Sequence, residues 1–134
     1  MSEENVEIVR RANVLFPAGD LEALIGLYHA DAEWCDLQHA PDTPEAVHGR
    51  TAIFALWTQW LETFGDFTVE VYEYIGAHPW VICPSRWHGT GRQSGATIDL
   101  RVADAIKVLE GKIVRVVLGY SDTAEALKAV GLEE

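Results

Sequence analysis

Asp104 stands in the run Ile98, Leu100, Val102, Asp104, Ile106, Val108, in which every other member of the alternating set is apolar. Strand periodicity places these six side chains on one face, and its apolar character predicts that the face is buried. A carboxylate there must be paired, hydrogen-bonded or protonated, because desolvation lifts the pKa of a buried acid toward neutrality. The chemistry on offer is proton transfer or hydrogen-bond donation inside an apolar cavity. The same position also suits a purely structural carboxylate, satisfied by Arg86 or by a backbone amide.

The elements that must position this acid follow from hydrophobic period and turn chemistry. Val6, Val9, Ala12, Asn13 and Phe16 recur at helical spacing until Pro17 and Gly19 end the helix. Asp20 reads as the N-cap of a second helix, Leu21 to Tyr28. A short strand, Ala32 to Leu37, precedes a proline-rich loop, His39 to Pro44. Ile53, Trp57, Trp60, Leu61 and Phe64 then mark the clearest helix, with both tryptophans facing inward.

Beyond Gly65 the period changes to that of strands. Strands are expected over Phe67 to Ile75, Trp80 to His88, Ala96 to Leu109 and Lys112 to Tyr120. Turns fall at Gly76 to Pro79 and Gly89 to Gly95, and a tight hairpin at Glu110-Gly111. A last helix, Thr123 to Val130, ends at Gly131. Helices followed by hairpin strands imply an α+β layer structure, a curved antiparallel sheet wrapped around the N-terminal helices and enclosing an apolar pocket. Period alone leaves one strand undecided: Arg86 and His88 share parity with Trp80, Ile82 and Pro84, while Val81, Cys83 and Trp87 occupy the other face.

Composition limits the setting. The chain has 134 residues, 49% hydrophobic and 23% charged, which suits one domain spanning residues 1–134 with its own core. A formal net charge of -11 argues against nucleic acid and anionic membranes as partners. With neither a secretory leader nor a run of about 18 apolar residues, a cytoplasmic location is expected. Cys35 and Cys83 form no CxxC pair and read as reduced, buried thiols. No HExxH spacing or phosphate-binding glycine loop is present, so neither a metal nor a cofactor is expected. His39 and His48, at a loop and a helix start, read as capping or exposed groups.

Four further stretches, taken in order, resemble one superfamily. They are Ala18-Gly-Asp-Leu21, Asp31-Ala-Glu-Trp-Cys-Asp36, His48-Gly-Arg50, and Asp104 ahead of Glu110-Gly-Lys-Ile113. Together they look like the SnoaL-like and ketosteroid-isomerase-like proteins of the nuclear-transport-factor-like superfamily, from about Asn5 to Gly131. That resemblance implies a cystatin-like cone, and a fold that hosts isomerases, cyclases, epoxide hydrolases, dehydratases and non-catalytic subunits. In the isomerases, the residue matching Asp36 is the base, and the residue matching Asp104 is a neutral acid that donates to the enolate oxygen. Their oxyanion tyrosine falls on Ala12 here. In the epoxide-hydrolase branch, an Arg-x-Asp pair on a central strand activates water with a last-strand aspartate; here the positions carry Arg86, His88 and Leu118.

The resulting expectation is a small-molecule enzyme that moves a proton on a hydrophobic substrate without a cofactor, by isomerisation or aldol-type cyclisation. Asp36 is the base and Asp104 the donor, with Arg86 and His88 orienting substrate or water. Trp34, Trp57, Trp60 and Tyr120 line the pocket with Ala12 and Leu118. Two alternatives stand beside it: epoxide-hydrolase-like water activation, and a ligand-binding or assembly module without chemistry. In the module, Asp104 is already satisfied by protein groups and Asp36 points to solvent; in the enzyme, both carboxylates and Arg86 converge on one volume. A homodimer through the outer sheet face, where Ile113 and Val117 are read as apolar, is the expected assembly.

Overall fold

A computed structural model describes residues 2–37 and 46–131. The expected loop from His39 to Pro44 lies outside these residues. Helix α1 (Ser2–Ala18) is followed by a short α2 (Leu21–Ile25), whose N-cap Asp20 accepts from the Ala23 N–H. Pro17 falls inside α1, and the chain turns at Gly19, whose φ of 78° is cheap only without a Cβ. The second helix stops at Ile25, so Tyr28 opens strand β1 (Tyr28–Asp36) instead of closing a helix. Tyr28 is buried against Trp57, which explains why tertiary packing draws it into the sheet.

A two-residue strand β2 (Val47–His48) precedes α3 (Arg50–Thr63), the helix most plainly written in the sequence. The strand expected over Phe67 to Ile75 is two pieces, β3 (Thr68–Val71) and β4 (Ile75–Ala77), and both pair with β5 (Trp80–Thr90). Strands β6 (Thr97–Leu109) and β7 (Lys112–Tyr120) form the long hairpin. Glu110 and Gly111 between them have φ of 52° and 80°, the paired positive values of a two-residue hairpin turn. Helix α4 (Thr123–Ala129) starts at an Asp122 cap, whose carboxylate accepts from the Glu125 N–H.

The sheet order is β2-β1-β7-β6-β5-β3, with β4 also on β5. All pairs are antiparallel except β1 with β7, which run parallel. The architecture is the expected α+β curved open sheet with N-terminal helices. Its inner face packs on α1 and α3, where Val9, Phe16, Ile53 and Trp57 meet Val108 and Ile113. Ile113, assigned from alternation to the outer face, is thus inside. The register of β7 slips between Lys107 and Val108, and that irregularity changes which face each residue meets. On the outer face α4 covers Ile82, Ala103 and Ala105 with Ala126.

This division of faces gives a stability test. Ile53 is fully buried, whereas Val14 on α1 is 64% exposed. Ile53→Ala is expected to cost about 2–5 kcal/mol and Val14→Ala less than about 0.5 kcal/mol in urea unfolding. Equal effects would mean that the interior is misassigned.

Candidate functional site

Asp104 faces the inner side of β6, as the alternation of that strand requires, and is only 4% exposed. Directly across the ladder, Ala103 pairs with Tyr120 and Ala105 with Val117, so Leu118 and Gly119 together oppose Asp104. This is a β-bulge: one extra residue on β7 bends the strand and takes a backbone N–H out of the regular ladder. Gly119 has a φ of 96°, a conformation that disfavours any residue with a Cβ. Its N–H donates to Asp104 Oδ1 at 3.0 Å, and the Trp87 indole Nε1–H donates to Oδ2 at 3.1 Å. Both carboxyl oxygens therefore have a protein donor.

Three influences set the protonation of this group. Burial raises its pKa most strongly, the Gly119 and Trp87 hydrogen bonds hold it down, and the negative charge of Asp36 pushes it up again. The balance lies at about 7. Asp104 is thus neither fixed as an anion nor held permanently neutral, and it can exchange a proton near physiological pH.

The acid opens on a cavity of about 60 Å³, enough for several water-sized groups and so more than a packing defect. Helix α1 supplies Ala12, Asn13 and Phe16, and α3 supplies Trp57 and Trp60. Strands add Tyr28, Trp34, Cys83, Trp87, Val116 and Leu118. The rings meet mostly edge to face, with Trp34 and Trp57 centroids 5.7 Å apart and Trp60 and Trp87 6.1 Å apart. Desolvation pushes the Tyr28 hydroxyl and the Cys83 thiol upward, so both stay protonated and Cys83 is no thiolate nucleophile. Among the described residues, no three His, Cys, Asp or Glu side chains gather as a metal site.

Two polar atoms of these side chains are unmatched and closed to water-sized groups. The indole nitrogens of Trp34 and Trp57 are buried and have no hydrogen-bond partner among the described residues. Each such donor costs about 1–3 kcal/mol relative to one that is paired. Sequence patterning could not reveal them, because an indole reads as apolar bulk until its neighbours are known.

The expected site residues separate into two groups. Asp104, Ala12, Trp34, Trp57, Trp60 and Leu118 line the cavity. Asp36 closes β1 half-buried, on the strand face shared with Trp34; it is not part of the lining, although its charge reaches Asp104. Arg86, His88 and Tyr120 require correction. Trp87 points inward, so its neighbours Arg86 and His88 lie on the outer face of β5. There Arg86 makes a bidentate pair with Asp99, at 2.8 and 2.7 Å, and also approaches Glu70. Arg86 therefore does not satisfy Asp104, and the Arg86 and His88 arrangement for activating water is not built. Tyr120 follows the bulge, which turns it to the outer face beside Ala126.

The sequence profile of the SnoaL-like domain matches residues 9–116, and the chain belongs to that family. Among solved structures, it is similar to Bal32a from a soil-derived mobile gene cassette, at 23% identity and a TM-score of 0.77 over 87% of this chain and 88% of that one. RV0760c from Mycobacterium tuberculosis, in complex with estradiol-17beta-hemisuccinate, is 16% identical with a TM-score of 0.77, covering 91% and 96%. A hypothetical protein with a ketosteroid isomerase-like fold from Catenulispora acidiphila, in complex with trimethylamine, is 19% identical with a TM-score of 0.73, covering 95% and 94%. At these identities the likeness is one of fold. No curated protein matches the sequence.

The raised pKa of Asp104 is also a statement about stability. From the ordinary 3.8 up to about 7, the folded state holds this proton more tightly than the unfolded chain does. Its contribution to stability therefore falls as pH rises through that window, by on the order of 4 kcal/mol, and levels off above it. Asp104→Asn removes the titration. Urea unfolding of both proteins from about pH 4 to about pH 8 should show the wild type losing stability relative to the variant across the window; a constant difference would mean that Asp104 is ionised throughout.

Proposed function

We propose that this SnoaL-like protein is a cofactor-independent enzyme that moves a proton on a small hydrophobic molecule held in the cavity, by isomerisation or aldol-type cyclisation. The observation that carries this reading is the placement of Asp104. It is a buried acid at the wall of an aromatic cavity, poised near neutrality, with the charge of a second carboxylate acting on it. In this reading Asp104, the carboxyl at the cavity wall, exchanges the proton with the substrate, and Asp36, outside the lining at the end of β1, acts on it through its charge. The aromatic wall orients the substrate and excludes water, which strengthens both interactions.

A second reading is a ligand-binding module without chemistry, favoured by the two protein donors that already occupy the Asp104 oxygens, by the outward pairing of Arg86 with Asp99, and by the absence of Asp36 from the described lining, so that the two carboxylates and Arg86 do not converge on one volume. Solved structures of similar fold hold the estradiol derivative and trimethylamine, and another is a computationally designed 17-OHP binder. The readings part on proton exchange. In deuterium oxide, the enzyme accelerates exchange of the α-protons of a small cyclic β,γ-unsaturated ketone, followed by proton NMR. Asp104→Asn should slow that exchange by about 10²–10⁴-fold. Exchange no faster than in buffer, with the ketone bound, would leave the binding module.

A further inference from the structure

The cavity holds a carboxyl but no cation to pair with it. Asp104 is the one carboxyl in the described lining, and the Gly119 and Trp87 N–H groups on its two oxygens are neutral donors that favour its ionised form. Among the described residues no Lys, Arg or His lines the cavity, so no side chain there offsets a negative charge. A carboxylate oxygen has room for more than one hydrogen bond, and each here receives one from the protein. The other polar side chains of the wall share this bias. Asn13 donates from Nδ2 to the Tyr74 hydroxyl at 3.5 Å, while its side-chain oxygen can only accept, and Tyr28 brings a hydroxyl oxygen.

These groups decide the charge of a ligand that suits them. An anion would enter beside Asp104 uncompensated, whereas a cation supplies the counter-charge that the carboxylate lacks. The rest of the wall is apolar and largely aromatic, with Trp34, Trp57, Trp60 and Trp87 in it, surroundings that tolerate a cation but leave few acceptors for its N–H groups. A tertiary ammonium meets both conditions, since it has a single N–H and three carbon substituents. The formal net charge of -11 draws cations toward the protein. We propose that the cavity binds a small tertiary amine as its ammonium ion, with the N–H donated to Asp104. Such a ligand needs the cavity as a small-molecule site but not its proton-transfer chemistry, and while bound it keeps Asp104 ionised and stops its proton exchange.

The probes are N-methylpyrrolidine, protonated at neutral pH, and methylcyclopentane, which has the same shape without the charge. Tryptophan fluorescence of the full chain reports both, because four indoles line the cavity. At about pH 8 the ammonium ion should bind about 10- to 150-fold more tightly than the hydrocarbon, the worth of one hydrogen bond to a charged group. Its affinity should rise roughly tenfold per pH unit from about pH 5 to about pH 7, as binding releases the Asp104 proton to solvent, and level off above. Tyr28 and Cys83, the other titratable groups of the lining, stay protonated throughout, and Asp36 acts on Asp104 from the end of β1. Asp104→Asn should abolish the preference for the ammonium ion and keep methylcyclopentane binding. Equal affinity of the wild type for the two probes, an ammonium affinity that does not change with pH, or tighter binding of cyclopentanone than of the ammonium ion would overturn the proposal without any variant having to fold. Binding of neither probe would overturn it together with the small-molecule reading of the cavity, whereas ammonium binding without deuterium exchange of the ketone would support it and count only against the enzyme.

Discussion

The cavity depends on one carboxyl group held between two N–H donors. Asp104 lies on the face of β6 that packs toward α1 and α3, where a bare anion would be prohibitively costly. The bulge in β7 supplies the remedy, because the extra residue presents the Gly119 N–H to one oxygen while Trp87 caps the other. Several features follow from that arrangement. Position 119 is a glycine in left-handed backbone, the inner parity of β7 ends at Leu118, and Tyr120 is carried to the opposite side of the sheet. A device that stabilises one buried acid thus also fixes which residues can line the cavity.

The same arrangement holds the acid at an intermediate strength. Burial pushes Asp104 toward its neutral form, and the Gly119 and Trp87 hydrogen bonds favour the ionised one. Here the two oppose each other, and the charge of Asp36 acts on the result. Around the carboxyl the wall is aromatic, supplied by α1 and α3 from one side and by the sheet from the other. The fold places a carboxyl that can exchange a proton near neutrality in apolar surroundings, a common requirement of proton-transfer enzymes.

Much of the frame was legible in the chain. Helix α3 followed from its apolar period, the β6–β7 turn from Glu110-Gly111, and the burial of Asp104 from alternation, since these signals are local. What was not legible depended on register. Arg86 and His88 share a strand with Trp87, and both faces of that strand carry large side chains, so only pairing with β6 and the Asp99 contact fix the outer face. Ile113 and Tyr120 escape strict alternation for a related reason: the pairing of β7 with β6 is irregular in two places, and only the one beside Tyr120 carries a signal in the chain, the lone Gly119. The unmatched indoles of Trp34 and Trp57 were hidden because hydrogen-bond satisfaction belongs to the assembled interior.

The most direct test is a carbon-13 titration of the Asp104 side-chain carboxyl by NMR, assigned through its loss in Asp104→Asn. A midpoint near 7 is predicted, because burial outweighs the two N–H donors. A midpoint near the ordinary 3.8 would contradict the account, since Asp104 would then be a fixed anion and a structural part of the sheet.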